Sequence, residues 1–233
     1  MSILEKVQQW LVPKLIALKL VKQVTFSFAE LTADMQIYLP FNIKFSVPNG
    51  NGLVIISHVQ LTENKNGLVK AKLKGTLDIQ CMGEHLYSSS IHIELLGKPI
   101  FIKEKSVIRA TNVQIGQVDL ADDNLMVVHN TRKIIAKLSN NILGHMWSLT
   151  VGTALGFLDN VTDMKGYIAL FVNKSSHRIL ELHRKEIESN LITSFSNGDI
   201  EYTLKETVFD EKLFIKYGKD IVVENEGLTF RFS

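Results

Sequence analysis

Between Lys137 and Asp159 this 233-residue chain carries no Asp, Glu, Lys or Arg. Few folds can house such a stretch. Residues 130–160 read as one long helix. Asn130 or Thr131 can act as N-cap, since a side-chain oxygen there accepts an orphan N–H of the first turn. Asp159-Asn160 can end it, because Asn tolerates the left-handed backbone of a helix stop. At about 100° per residue, Ile135, Leu138, Ile142, Met146 and Leu149 share one face, and Leu143, Trp147, Val151, Ala154 and Leu158 a second. Gly144, Ser148, Gly152 and Gly156 fill the gap between them and would let another backbone approach closely. A helix apolar almost all round belongs inside other structure. A bilayer span wants about 20 predominantly apolar residues, and Ser139, Asn140, Asn141, His145, Ser148 and Thr150 dilute this one. The expectation is a helix wrapped by protein.

The wrapping is written upstream. From Met35 to Val47 apolar and polar residues alternate strictly, so 33–47 reads as one long strand with a buried and a wet face. Pro40 cannot donate to a ladder and marks an edge or a bulge. Residues 49–52, Asn-Gly-Asn-Gly, read as a tight hairpin turn. A return strand is expected over 53–61 and another turn over 64–67. In a third strand, 69–81, Leu73, Leu77 and Ile79 point inward and Lys70, Lys72 and Lys74 outward. Gly75 interrupts its inner face, where a bulge or a close backbone approach is expected. Strands over 91–95 and within 100–119 complete a meander of at least five. Strands of about 13 residues exceed the usual five or six, a length suited to curling around something.

At the ends the periodicities are shorter. Leu4, Val7, Leu11, Leu15 and Leu18 give an N-terminal helix over 2–22, kinked by Pro13. Packing against the body is the favoured reading of this helix. Peripheral membrane contact, with Lys6, Lys14, Lys19 and Lys22 on anionic headgroups, is its rival. After the long helix, strands are expected at 165–172, 178–182, 199–204, 221–223 and 228–232, with a helix over 183–195 closed by Gly198. No fixed repeat or linker interrupts the chain, so 1–233 is expected to be a single domain.

Composition excludes several classes. Hydrophobic residues at 45% and charged ones at 21% describe a globular chain. A net charge of +2 with no basic stripe argues against nucleic acid. Cys81 is the sole cysteine and the seven histidines lack ligand spacing, so neither a disulfide framework nor a metal site is expected. There is no Gly-x-Ser-x-Gly elbow or phosphate-binding glycine loop, and Asp122-Asp123 reads as a turn. Neither catalytic residues nor a cofactor is expected. Glu5, Lys6, Lys14 and Lys19 break up the opening segment, which does not read as an export signal. A cytoplasmic location is expected, or a periplasmic one if a leader was removed.

Long curved strands around an apolar helix resemble the tubular lipid-binding superfamily, and two stretches resemble its small bacterial lipoproteins of unassigned function. Gly97-Lys-Pro-Ile-Phe101 followed by residues 107–120 is similar to their Gly-x-Pro-x-aromatic strand and the strand after it. The tail from Gly198 is similar to their closing pattern: a Tyr-x-Leu strand, a short lysine-containing segment, an Ile-x-Val strand and a last alternating strand. The resemblance implies an α+β fold: a long, strongly curved antiparallel sheet around a long central helix, with further helices near both ends. It also implies non-enzymatic binding of a lipid, a fatty acid or another elongated hydrophobe between sheet and helix. Ile37, Leu39, Phe41, Leu73, Leu77, Met146, Trp147 and Leu155 are the expected lining. The rival expectation is a structural or protein-interaction component that fills its own tube, since large residues such as Phe41, Phe45, Leu73 and Trp147 could occupy the space.

Overall fold

The structure, a computed structural model, describes residues 11–64, 66–120, 127–128, 167–168, 170–171, 176–198 and 200–232. The expected central helix, with Met146, Trp147 and Leu155, lies outside them. What is described is an α+β fold built on a strongly curved antiparallel sheet.

The elements are β1 (Gln23–Ser27), α1 (Phe28–Met35), β2 (Phe41–Val47), β3 (Gly50–Asn64), β4 (Leu68–Cys81), β5 (Glu84–Ile102), β6 (Val107–Leu120), β7 (Val127–Val128), α2 (Ser176–Asn197), β8 (Glu201–Thr203), α3 (Phe209–Tyr217), β9 (Gly218–Glu224) and β10 (Gly227–Phe232). The large sheet runs β2-β3-β4-β5-β6-β8, with β7 on β5, and a small sheet runs β1-β10-β9. The meander of long strands is as expected, and β5 reaches 19 residues.

Bulges bend these strands. Ile56 pairs with Gly75 and His58 with Lys74, so Ser57 is the extra residue. Beside it a Cβ on Gly75 would stand 2.2 Å from the Ile55 carbonyl oxygen, the close approach the sequence suggested. Two-residue turns set the register. Val47 pairs with Gly50, which places the first turn at Pro48-Asn49, earlier than the expected Asn-Gly-Asn-Gly turn. Met82 and Gly83, at φ 53° and 78°, make the two-residue turn between β4 and β5.

Four expectations are corrected. Only Phe41–Val47 of the expected 33–47 strand is a strand. Its first half is α1 followed by a 3-10 turn, Gln36–Tyr38. The cause is a capping box. The Ser27 hydroxyl accepts from the Glu30 N–H at 3.2 Å, and the Glu30 carboxylate accepts from the Ser27 N–H at 2.8 Å. A helix nucleated there outweighs the alternation that follows it. Second, Ile37 is not on the inner face but 75% exposed on that 3-10 turn. Third, the described residues of 165–172 are helical and 178–182 belongs to α2, so neither is a strand. Ile179, His183, Ile187 and Leu191 are buried at a spacing of four, the helical period the five-residue windows concealed. Fourth, the N-terminal helix ends at residue 17 rather than 22. The short lysine-containing segment of the tail holds α3, Phe209–Tyr217.

The main core fills the concave side of the large sheet. Ile56, Leu77, Ile79, Ile91 and Ile93 from the strands meet Tyr167, Ile168, Phe171, Ile179 and Ile187 from the helical residues. A smaller core joins Phe28, Leu204, Phe214, Ile221, Leu228 and Phe230 under the small sheet.

Candidate functional site

The expected site lies between the concave sheet and its helical cover. β4 supplies Leu73 and Leu77, both buried, and Leu77 is fully so. Leu39 and Phe41 are half-buried and pack on the rim of the same core. The structure thus brings Leu39, Phe41, Leu73 and Leu77 to one core and leaves Ile37 outside.

α2 (Ser176–Asn197) determines the geometry. The Glu186 carboxylate accepts from the N–H and the hydroxyl of Ser46, at 2.9 and 2.8 Å, and Asn190 Nδ2 donates to the Lys44 carbonyl at 2.8 Å. These groups lie on the outer edge of β2. Two residues before Glu186, Arg184 donates to the Val118 carbonyl on β6 at 3.0 Å. In a flat sheet β2 and β6 would stand about 19 Å apart, at about 4.8 Å per strand. A helix about 10–12 Å across reaches both only because the sheet curls round it.

One polar pair is buried inside. The Tyr167 hydroxyl and His183 Nε2 are 2.9 Å apart, against the rings of Phe45 and Phe171. Burial pushes His183 down to about 4, opposed by the nearby Glu186 carboxylate, so the imidazole is neutral at pH 7. Burial also raises Tyr167 far above the ordinary phenol range. Cys81 is buried beside this pair, with its thiol pushed up by desolvation and 3.6 Å from the Pro48 carbonyl. A thiol raised in this way is a poor nucleophile. The arrangement suits packing and hydrogen bonding better than proton transfer or covalent attack.

Sequence reasoning missed the Tyr167–His183 pair, because the two residues are 16 apart and nothing local links them. Glu186 and Asn190 were findable, as a polar i, i+4 pair flanking the apolar stripe of α2. Among the described residues no group of three or more His, Cys, Asp or Glu side chains could hold a metal ion. The recesses along the β2–α2 seam are open grooves of about 480 and 340 Å³, lined by Lys44, Ser46, Glu186, Asn190 and their neighbours. Neither groove is an apolar slot between sheet and helix.

Compared with known proteins, the chain matches no protein-family model, and no curated protein matches it.

Proposed function

We propose that this chain is a non-enzymatic interaction protein, filled by its own helices and acting through its surface. The observation that carries this reading is the covering of the concave face. Leu77, Ile79 and Ile91 keep no accessible surface, and nor do Tyr167, Ile179 and Ile187 in the same core. Side chains in such contact leave no room for a ligand without displacement. The buried polar groups support the same reading, since His183 is held neutral and Cys81 is shielded.

A second reading, an elongated lipid held on the sheet as in the tubular lipid-binding superfamily, draws on one observation. Leu61, Ala71, Leu95 and Ile115 pair side by side across four strands, and all but Leu95 are only half-buried. An acyl chain along that row would gain roughly 25 cal/mol per Å² of apolar surface covered, before the costs of binding.

Native mass spectrometry and titration with a fluorescent fatty acid separate the two. A filled interior predicts no retained lipid and no saturation, and Leu77→Trp then lowers the thermal midpoint by overpacking. Saturable binding that Ala71→Trp weakens, with the midpoint unchanged, would establish the lipid reading instead.

A further inference from the structure

The corner where the chain enters β1 presents a surface that the core does not explain. Residues 11–17 are helical, and buried Ile16 holds them to the body. The helix stops in a Schellman arrangement, with Leu20 N–H on the Leu15 carbonyl and Lys19 N–H on the Ile16 carbonyl, both at 2.8 Å. Lys19 takes the left-handed position at φ 59°. In this motif the residue after the left-handed one usually folds its side chain back onto the last turn. Leu20 does not. It is 68% exposed, Leu18 is 69% exposed, and Leu11 and Val24 also face solvent.

Along the chain, the charge on either side of these leucines has one sign. Between Glu5 and Glu30 the sequence has no acidic residue, while Lys14, Lys19 and Lys22 are all exposed. Protein interfaces are depleted in lysine relative to the rest of the surface. Anionic headgroups pair instead with ammonium groups while neighbouring leucines enter the acyl boundary. Among the described residues no helix is long and apolar enough to cross a membrane, so contact from this corner would be at the surface. We propose that Leu18 and Leu20, with Lys19 and Lys22, dock this protein on the face of an anionic phospholipid bilayer.

The test is co-sedimentation of the full chain with phosphatidylglycerol/phosphatidylcholine vesicles, against phosphatidylcholine alone. The expected result is saturable binding to the anionic vesicles only, weakened as salt rises. Leu18→Ser with Leu20→Ser should lower it by about tenfold or more, and Lys19→Gln with Lys22→Gln by several-fold. Both leucines are exposed, so the thermal midpoint should not move. Equal binding to neutral vesicles, no binding at low salt, or indifference to the leucine pair would overturn the proposal. So would a dimer in free solution that the leucine pair dissociates, since a second copy would then be the occupant. The result does not depend on what fills the sheet: retained lipid tests the interior, and vesicle binding tests this corner.

Discussion

At the scale of single residues, the buried His183 makes stability depend on pH. Between about 4 and 6.5 the unfolded chain holds a proton on this imidazole that the folded chain refuses. Stability therefore falls as pH drops through that window and levels off below it. The contribution can reach about 3 kcal/mol, with Glu186 on the next turn pulling the other way. His183→Gln keeps a partner for the Tyr167 hydroxyl and should flatten the fall in thermal midpoint between pH 7 and 4.5. Glycines give a second contrast. Gly75→Ala would press a methyl onto the Ile55 carbonyl and should cost about 1–3 kcal/mol in denaturant unfolding. At Gly116 the nearest atom is 3.7 Å away, in ordinary contact, so Gly116→Ala should change stability by less than about 1 kcal/mol. The importance of Gly75 was legible in the sequence, because it breaks an otherwise apolar alternation. The His183–Tyr167 contact was not, because it exists only once the chain has folded back.

At the scale of elements, the helices satisfy backbone groups that the sheet leaves open. α2 caps β2 through Glu186 and Asn190. On β3, beyond the last residue paired to β2, the Leu61 N–H donates to Thr32 Oγ1 at 3.0 Å and the Val59 carbonyl accepts from Gln36 at 2.8 Å, both from the α1 region. Open edges invite pairing with other chains. Glu186→Ala with Asn190→Ala should speed hydrogen exchange at the Ser46 amide and raise light scattering on storage, while the far-ultraviolet spectrum is kept. The long strands β3 and β4 were legible because their period-two alternation runs between two turn signals, whereas of β5 only 91–95 and its far end were read. α1 was not read, although Ser27-Phe-Ala-Glu30 is a capping-box spacing, because the alternation through Ile37 and Leu39 masked it. α2 was cut short for a related reason. Arg178 to Leu182 is too brief a window to distinguish a helix from a strand, and only the stripe through Ile179, His183, Ile187 and Leu191 decides it.

At the scale of the molecule, the first and last described strands pair and the two cores join. β1 pairs with β10 from Gln23 to Ser27, and the Thr25 and Thr229 hydroxyls lie 2.8 Å apart. Phe214 packs on Phe101 of the large sheet at 4.5 Å and on Phe230 of the small one at 4.9 Å. Phe214→Ala should therefore cost about 3–5 kcal/mol, and calorimetry should show one transition moving down as a whole rather than a second one splitting off. The reach of α2 across the sheet has a consequence in time. Ser176 follows Leu120 by about 56 residues, roughly 3–11 s of synthesis at about 5–20 residues per second. Throughout that interval every described long strand has already been synthesised, and the helix that stoppers both rims of the trough has not been completed. The hazard this chain runs is thus set by the order in which its parts are translated, and it is greatest where many ribosomes share one message.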